Sequence, residues 1–292
     1  MKKAIFSLIM TYLLLIGCSK DTAHIEEPLP VPIRSSTIVS LFHKDPSVKA
    51  WLQGPGKAYF ECHFMMPKDM AEDVVVGMDI EYGEGGGQTP EFFADSQWAT
   101  ILGVTRKGLL LFNYGSEASL NGAPDAGDHT GIDLKTEILP ETWYRLRTEV
   151  DFKYRRYISA EIQGPNLDTI IDLKAHRIEY TLQIPFDQRN LTFYVLALRN
   201  QELTKDNTGK TYAYFDSVEG GIWLNGQWQT VFLDGFVGQT SFPDVPVSEP
   251  MVKVNDFTQG YWYRENEGAI VEISTEMVLE GQQSAKCNAR LE

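Results

Sequence analysis

Two carboxylates alternate along a short stretch of the sequence, and their spacing gives them a common side. In the segment GMDIEYGEGGG, Asp79 and Glu81 alternate with apolar or aromatic residues. Because successive side chains of a β-strand point to opposite faces, both carboxylates are predicted to lie on one face. A pair of carboxyl groups can act as acid and base in catalysis. Asp79 and Glu81 are therefore candidate catalytic residues, and a solvated acidic strand is the alternative.

A second pattern places aromatic and charged side chains on one face of a predicted strand. In TWYRLRTEVDF, apolar positions alternate with Trp143, Arg145, Arg147 and Glu149. The segment 156–163 repeats the alternation after a short connection, which predicts an antiparallel hairpin with one continuous polar face. A tryptophan ring offers a flat apolar surface to a sugar, and charged neighbours bond its hydroxyl groups. This face predicts glycan binding; a solvated face with cross-strand ion pairs is the alternative.

Further tryptophans stand in turn-rich or half-polar stretches. Trp98 precedes a predicted strand, and GIWLNGQWQ puts Trp223 and Trp228 on either side of an Asn-Gly turn at a hairpin tip. We add these three rings to the set predicted to contact glycan. The alternative is a core or edge-capping role, which most tryptophans in β-sandwiches have.

One acidic loop, NGAPDAGDHTGID, raises the question of a metal site. It brings Asp125, Asp128 and Asp133 close together in the sequence. Several such oxygens can hold Ca²⁺, but the spacing does not match an EF-hand. Asp and Gly are also common in turns. The loop therefore predicts either a Ca²⁺ site or ordinary turns, and no other cofactor is expected.

Charge and motif content argue against several classes of protein. The 292-residue chain has a formal net charge of −14, which argues against nucleic-acid binding because the phosphates would be repelled. Its five histidines are scattered without an HExxH motif, and the sequence has no GxSxG elbow and no CxxC pair. Cys62 and Cys287 lie far apart in the sequence. They form either a disulfide, which an exported protein allows, or two separate buried thiols.

The first residues predict export and attachment to a membrane. Two lysines precede an apolar run that ends at Gly17, which is too short for a spanning helix and typical of a secretory signal. The segment LIGC, which ends at Cys18, resembles the bacterial lipobox. That resemblance implies cleavage after residues 1–17 and lipid on Cys18; an ordinary signal with an incidental cysteine is the alternative. Residues 18–36 are rich in proline and charge and are predicted to form a flexible tether.

The residues after the cysteine bear on where the protein is displayed. The polar leader SKD looks like that of surface lipoproteins of Bacteroidetes-type bacteria. That resemblance implies a Gram-negative outer membrane, a lipid-anchored protein and display on the cell surface. The anchor itself is the expected contact with the membrane.

Short alternating segments between Gly- and Pro-marked turns dominate the chain from residue 37 to residue 245. No long segment has helical periodicity. Many short strands at this spacing predict an all-β sandwich or barrel. The predicted strands are 57–66, 73–82, 99–104, 108–114, 142–152, 156–163, 169–180, 191–199, 211–218, 221–226 and 228–236.

Three segments in the second half of the chain carry a resemblance to a known fold. ETWYRLRTEVDFKYRRYISAEIQG, FYVLALRNQ and TYAYFDSVEGGIWL resemble the concanavalin A-like jelly rolls, including laminin-G-like modules. The resemblance covers roughly residues 37–240. It implies an antiparallel β-sandwich that binds glycans on its concave sheet, and as a likeness of fold it does not fix the function.

Within that fold, the predicted strand that carries Asp79 and Glu81 resembles a known catalytic strand. In laminarinase-like glycoside hydrolases the catalytic strand reads Glu-x-Asp-x-Glu, and retaining hydrolysis uses two carboxyl groups about 5 Å apart. The resemblance places Asp79 and Glu81 at the last two positions and Gly77 at the nucleophile. Without a carboxylate at Gly77, that mechanism lacks the group that attacks the sugar.

The tail, residues 246–292, differs from the rest of the chain. Its Gly281, Ser284 and Lys286 follow the G-x-x-S-x-K pattern that resembles the opening strands of a carbohydrate-binding jelly roll. About 40 residues cannot bury a core of their own. Either the tail adds strands to the first sandwich, or it begins a second module that continues past residue 292.

Three hypotheses follow from these patterns. The leading one is a surface-anchored, non-catalytic lipoprotein whose β-sandwich binds a polysaccharide or glycan. The first alternative is a glycoside hydrolase or polysaccharide lyase on the same fold, with Asp79 and Glu81 as acid and base. The second alternative is an adhesion or assembly protein whose sheet face binds another protein.

Overall fold

The structure, a computed structural model, describes nine stretches of the chain. These are residues 35–43, 56–72, 74–83, 96–115, 128–183, 191–200, 210–242, 262–264 and 270–288. The chain divides into a unit spanning Met1–Val31 and a unit spanning Pro32–Glu292, and every described residue belongs to the second. The predicted signal peptide and Cys18 lie outside the described residues. Within the stretches above, no helix is long and apolar enough to cross a membrane.

The described strands form two antiparallel sheets, each with eight strands. Sheet A contains, in spatial order, β14 (Trp262–Arg264), β1 (Ser35–His43), β11 (Leu191–Asn200), β3 (Val74–Gly83), β4 (Ser96–Thr105), β5 (Leu109–Tyr114) and β6 (Asp128–Asp133), with β10 (Glu179–Gln183) beside β4. Sheet B contains β15 (Ile270–Ser274), β16 (Ser284–Asn288), β12 (Tyr212–Leu224), β2 (Lys57–Met65), β7 (Trp143–Asp151), β8 (Arg156–Gly164) and β9 (Leu167–Asp172), with β13 (Gln227–Asp234) beside β12.

This arrangement is an all-β antiparallel sandwich, as the sequence predicted. The chain passes repeatedly from one sheet to the other, so neighbouring strands are often far apart in sequence. The core lies between the sheets and is rich in fully buried aromatic rings, among them Phe60 and Phe64 from sheet B and Trp98 and Phe112 from sheet A.

Strand β7 shows why alternation predicted so much of this fold. Tyr144, Leu146, Thr148 and Val150 are fully buried, whereas Arg145, Arg147 and Glu149 stay half-buried on the opposite face. A strand with one apolar face and one polar face can pack on a core only in this orientation. The predicted sidedness of β7 is therefore confirmed.

Tyr157 corrects the sidedness predicted for β8. Simple alternation placed it on the polar face, but its ring is fully buried. The register between β7 and β8 shifts between Glu149 and Val150, because β8 contains one extra residue, Ile158. This bulge reverses the faces to which the side chains at the start of β8 point. The Tyr157 hydroxyl then lies in the core, where it donates a hydrogen bond to the carbonyl of Asn113 at 2.8 Å and accepts one from the amide of Ile101 at 3.0 Å.

Two predicted strand boundaries also differ from the structure. The predicted strand 169–180 is divided into β9 and β10, which lie in different sheets, because a turn around Leu173 carries the chain across the core. The predicted strands 211–218 and 221–226 are one continuous strand, β12. The glycines inside it do not form a turn; a Cβ at Gly220 would lie 2.2 Å from the ring of Phe232.

The described strands of the tail lie in the same two sheets as the rest of the chain. β14 pairs with β1 in sheet A, and β16 pairs with β12 in sheet B. Two buried carboxylates hold this tail in place. Asp216 accepts backbone hydrogen bonds from Leu279 at 2.8 Å and Glu280 at 3.2 Å. Asp234 accepts one from the indole nitrogen of Trp262 at 2.8 Å.

The two remaining cysteines are separate thiols in sheet B. Cys62 lies on β2 and Cys287 on β16, both fully buried and both free. The alternative of a disulfide between them is therefore not what the structure contains. Burial raises the pKa of both thiols, because a thiolate would lose its hydration.

Replacing Asp216 with alanine should destabilise the fold by about 2–4 kcal/mol, because the buried amide of Ser217 and the tail amides of Leu279 and Glu280 lose their acceptor. The free energy of unfolding, measured by urea titration, tests this. Asp168→Ala on the exposed side of β9 is the matched control and should change stability by no more than about 0.5 kcal/mol. Equal effects of the two substitutions would contradict a tail held by Asp216.

Candidate functional site

The side of sheet B that points away from the core carries most of the predicted glycan-contacting residues. We call it the outer face of sheet B. Arg147 lies opposite Glu61 in the pairing of β7 with β2, and Glu149 lies opposite Tyr59. On the other side of β2, Glu219 of β12 lies opposite Glu61. The register therefore gathers residues that are far apart in sequence into adjacent rows.

Three aromatic rings form a cluster at one end of this face. We call Tyr59, Trp223 and Trp228 the hairpin cluster. Trp223 and Trp228 pair directly across the β12–β13 hairpin, and their ring centroids are 5.1 Å apart at an interplanar angle of 80°. Tyr59 meets Trp228 at 5.1 Å and 88°. Edge-to-face contacts of this kind are favourable and fix the orientation of each ring.

Two glycine-dependent features position the hairpin cluster. A Cβ at Gly221 would lie 2.3 Å from the ring of Tyr59, so the absence of a side chain there lets that ring lie across β12. The hairpin closes through Asn225 and Gly226, whose φ angles are 52° and 81°. Positive φ at both positions suits the two-residue turns that match strand twist, and Asn-Gly is the preferred pair.

Cations lie over the rings of the cluster. The guanidinium carbon of Arg147 is 3.8 Å from the ring centroid of Tyr59 and 5.5 Å from that of Trp228. The ammonium of Lys57 is 5.8 Å from the ring of Trp223. Contacts of a cation with an aromatic face contribute roughly 0.5–2 kcal/mol each. They hold the rings and the charged groups of this face in one arrangement.

An ion-pair network continues from Arg147 along the face. The Glu61 carboxylate accepts hydrogen bonds from Arg145 at 3.2 Å and from Arg147 at 3.3 Å. Arg147 also donates to Glu149 at 3.1 and 2.8 Å, and Arg145 donates to Glu161. Burial alone would lower the pKa of Arg147, but its bonds to Glu149 and Glu61 outweigh burial and raise the pKa. The guanidinium group of Arg147 therefore stays charged at neutral pH.

A further carboxylate is fixed by hydroxyl groups. The Tyr59 hydroxyl donates to Glu219, and the Thr230 hydroxyl donates to the same oxygen at 2.8 Å. Burial and the bond to Glu219 raise the pKa of Tyr59 to about 12. Tyr59 and Glu219 were not among the predicted site residues. The alternation in KAYFEC placed Tyr59 on the same side as Glu61, but no local pattern connected it to tryptophans that are distant in sequence.

Trp143 and Trp98, two other predicted rings, have different positions. Trp143 lies half-buried on the outer face of sheet B, beside Met65 and away from the hairpin cluster. Trp98 is fully buried in the core, and the guanidinium carbon of Arg155 is 4.9 Å from its ring. Strand β4 carries apolar residues on both faces, so alternation did not show that Trp98 points inward. A ligand on the surface cannot reach this ring.

The candidate catalytic pair lies on the other sheet. Asp79 and Glu81 share the outer face of sheet A, on alternate positions of β3. The Asp79 side chain is only 3% exposed and accepts a hydrogen bond from Arg199. Burial raises the pKa of Asp79, and the Arg199 charge opposes that rise.

Gly77 shows why the laminarinase-like pattern is incomplete here. A Cβ at Gly77 would lie 2.6 Å from the carbonyl oxygen of Leu102 on the neighbouring strand. No side chain fits at that position without movement of the backbone. The position that would hold the attacking carboxylate is therefore closed by strand packing as well as by sequence.

The acidic loop is only partly within the described residues. Asp125 lies outside them, and Asp128 is described only as part of the backbone of β6. Asp133 accepts hydrogen bonds from the backbone amide and the ammonium of Lys135 at 2.8 and 2.6 Å, which lowers its pKa. In the stretches that the structure describes, no three His, Cys, Asp or Glu side chains are grouped to hold a metal ion.

The chain is similar to solved structures of β-proteins at low sequence identity, and two other comparisons with known proteins found no match. No family model matches the sequence, and no curated protein matches it. Scytalido-glutamic peptidase with a peptide-based transition-state analog is 8% identical, with 89% of this chain and 100% of that chain covered and a TM-score of 0.33. An alginate lyase from Pseudomonas aeruginosa is 14% identical, with 56% and 64% covered and a TM-score of 0.30.

A third solved structure is a carbohydrate-binding module. It is the CBM40 of the Ruminococcus gnavus IT-sialidase bound to α2,3-sialyllactose, 9% identical, with 61% of this chain and 92% of that chain covered and a TM-score of 0.26. At these identities and TM-scores the similarities carry no argument about function. The fold assignment rests on the strand order and register described above.

The raised pKa of Asp79 predicts the direction of one pH effect. Its contribution to stability is complete below its ordinary pKa of about 3.9 and is lost as the pH rises through the higher folded-state pKa. The free energy of unfolding of the wild type minus that of Asp79→Asn should therefore shrink as the pH rises above about 4. Urea titrations at a series of pH values measure this difference.

Asp168→Asn, which removes an exposed charge on β9, is the control for this series and is measured at the same pH values. A wild-type advantage over Asp79→Asn that grows with rising pH would mean that the Arg199 charge dominates burial, and the expectation would be wrong.

Proposed function

We propose that this protein binds glycan on the outer face of sheet B and does so without covalent chemistry. Trp223 and Trp228 are the stacking surface for a sugar ring. Arg147, Glu149 and the neighbouring carboxylates orient the sugar through its hydroxyl groups. The binding residues belong to rigid strands, so little side-chain ordering is lost when the ligand binds.

The exposure of one tryptophan ring is the main support for this proposal. The Trp223 side chain is 39% exposed although it belongs to a packed cluster of rings, and it stands beside an ordered network of carboxylates and guanidinium groups. An exposed ring that is held in place by its neighbours combines an apolar surface with fixed hydrogen-bonding groups. Binding sites for small polar ligands have this composition.

Catalysis on the same fold has weaker support. Asp79 is buried and bonded to Arg199, whereas a general acid or base must reach the proton that it transfers. Gly77 leaves no room for a nucleophile beside it. Docking of another protein on the same face remains the alternative to glycan, and the binding experiment below distinguishes the two.

We also propose that the sandwich is anchored to the outer membrane and displayed on the cell surface of a Gram-negative bacterium. The support is the lipobox-like LIGC at Cys18 and the segment rich in proline and charge that lies between it and the start of β1 at Ser35. Several acyl chains anchor stably, because each buried methylene contributes about 0.8 kcal/mol. Such an anchor would hold the outer face of sheet B near polysaccharides outside the cell.

Removing the stacking surface should weaken glycan binding. Affinity electrophoresis in gels that contain immobilised neutral or acidic polysaccharides identifies a ligand, and titration calorimetry measures its affinity. Trp228→Ala and Trp223→Ala should each reduce affinity at least about tenfold, because a central aromatic residue commonly contributes 2 kcal/mol or more. Trp228→Phe should retain part of the affinity.

The control for this experiment is Leu109→Ala, which removes a side chain of similar exposure, 37%, from sheet A. It should leave affinity unchanged. Retention of no polysaccharide by the wild type, or equal affinity of Trp228→Ala and the wild type, would contradict glycan binding on this face. Recovery of a protein partner that Trp228→Ala fails to recover would favour docking instead.

Lipid attachment can be tested separately from binding. In a Gram-negative host fed an alkyne fatty acid, the wild type should be labelled and should fractionate with the outer membrane, and Cys18→Ala should lose both properties. Ser19→Ala is the control and should keep the label, because Ser19 has no role in the attachment chemistry. Labelling of Cys18→Ala would contradict the lipoprotein assignment.

A further inference from the structure

We propose that the ligand is an extended, uncharged polysaccharide chain that spans the outer face of sheet B from the hairpin cluster to a second aromatic site at Trp143 and Tyr212. This inference rests on the glycan-binding function proposed above and adds the length and charge of the ligand. The rings at the two ends stack on sugars, and the polar strip between them bonds hydroxyl groups.

The second aromatic site is built by strand register. Trp143 pairs with Met65, Met65 pairs with Tyr214, and Tyr214 pairs with Lys286 of the tail. Tyr212 lies two residues before Tyr214, so it points to the same face, and their rings meet at 5.7 Å and 90°. The second site therefore joins residues of β7, β2, β12 and β16 in one row.

The rings of the second site differ in accessibility. Tyr214 is almost fully covered, because the Lys286 ammonium lies 5.8 Å from its ring and its hydroxyl donates to Glu276 at 2.7 Å. Trp143 and Tyr212 remain half-buried at the two sides of this covered centre, and the ammonium groups of Lys286 and Lys210 lie 4.8 and 5.7 Å from the Tyr212 ring. Tyr214 thus supports the site from below, and the rings that stay partly open to a sugar are those of Trp143 and Tyr212.

The spacing of the two sites requires a long ligand. Lys57 lies beside Trp223 in the hairpin cluster, and Met65 pairs with Trp143 at the second site. Lys57 and Met65 are the first and last residues of β2, so the separation along the strand is about 26 Å at about 3.3 Å per residue. A single sugar cannot reach both sites, whereas an extended chain can.

Polar groups occupy the face between the two sites. Glu61 and His63 alternate along β2, and Arg145 and Arg147 lie opposite them on β7. None of these four side chains is exposed, and ion pairs join Glu61 to both arginines, whereas the His63 ring nitrogen lies 3.4 Å from the carbonyl oxygen of Ser217. Fixed donors and acceptors along a strip match a ligand that carries hydroxyl groups along its length.

The charges of this strip favour an uncharged ligand. Both arginines already bond carboxylates: Glu61 to both, Glu149 to Arg147 and Glu161 to Arg145. A uronate or sialate would have to displace one of these partners from a half-buried ion pair. The chain as a whole carries a formal net charge of −14, which repels a polyanion further.

A length series of oligosaccharides tests the inference. The probes are size-graded oligosaccharides prepared from whichever neutral β-glucan, mannan or xylan the wild type retains in affinity gels, with alginate and polygalacturonate as acidic probes. Calorimetric affinity of the wild type should rise with chain length and then level off, and the acidic polymers should bind at least about tenfold more weakly.

The variants assign the length dependence to the two sites. Trp143→Ala and Tyr212→Ala should bind long chains with the affinity that the wild type has for short ones, a loss of about tenfold, and should bind short chains as the wild type does. Trp228→Ala should weaken both. Leu109→Ala on sheet A is again the control.

The outcomes separate this inference from the function on which it rests. Affinity that does not change with chain length, or Trp143→Ala and Tyr212→Ala variants that bind long chains normally, would overturn the second site while Trp228→Ala still supports glycan binding. Preference for alginate or polygalacturonate would overturn the uncharged ligand. Absence of binding to every polysaccharide would overturn the proposed function itself.

Discussion

The carboxylate of Glu61 lies between two guanidinium groups, and the outer face of sheet B depends on that contact. Arg145 and Arg147 are neighbours on one side of β7, and Glu61 bonds both of them, so it offsets the repulsion between their like charges in a half-buried setting. Removing one partner of a buried ion pair costs about 3–5 kcal/mol, and Glu61 is only 11% exposed. With its charge balanced, Arg147 can lie on Tyr59 and fix the hairpin cluster.

Glycine has opposite consequences on the two outer faces. At Gly221 the missing side chain makes room for the ring of Tyr59, and that ring supports Trp228. At Gly77 the room is occupied by the neighbouring strand, so a carboxylate at the corresponding catalytic position is excluded. The same residue type thus permits a binding cluster in sheet B and prevents the laminarinase-like arrangement in sheet A. This contrast favours the hypothesis of glycan binding on sheet B over that of catalysis on sheet A.

Local alternation predicted the fold class, most strands and the sidedness of β7, because a half-buried strand allows only one orientation. It failed where a single residue changes the register or where both faces are apolar. The bulge at Ile158, directly after Tyr157, inverted the start of β8, and Trp98 lies on a strand whose two faces look alike in sequence. Two of the three rings of the hairpin cluster were predicted. Tyr59 joins it through pairing across β2, β12 and β13, and no short stretch of sequence contains that pairing.

The tail and the proposed binding face are physically coupled through β12. Asp216 lies at the bulge of that strand, between Tyr214 of the second aromatic site and Glu219 beside the hairpin cluster. Its carboxylate binds the tail at Leu279 and Glu280, so the same group fixes the bulge and the tail. β16 then covers Tyr214 with Lys286. A chain without the tail would lose this cover and expose part of the core. The tail therefore contributes to the free energy of folding of the sandwich. It also contributes Lys286 to the face on which a long ligand would lie.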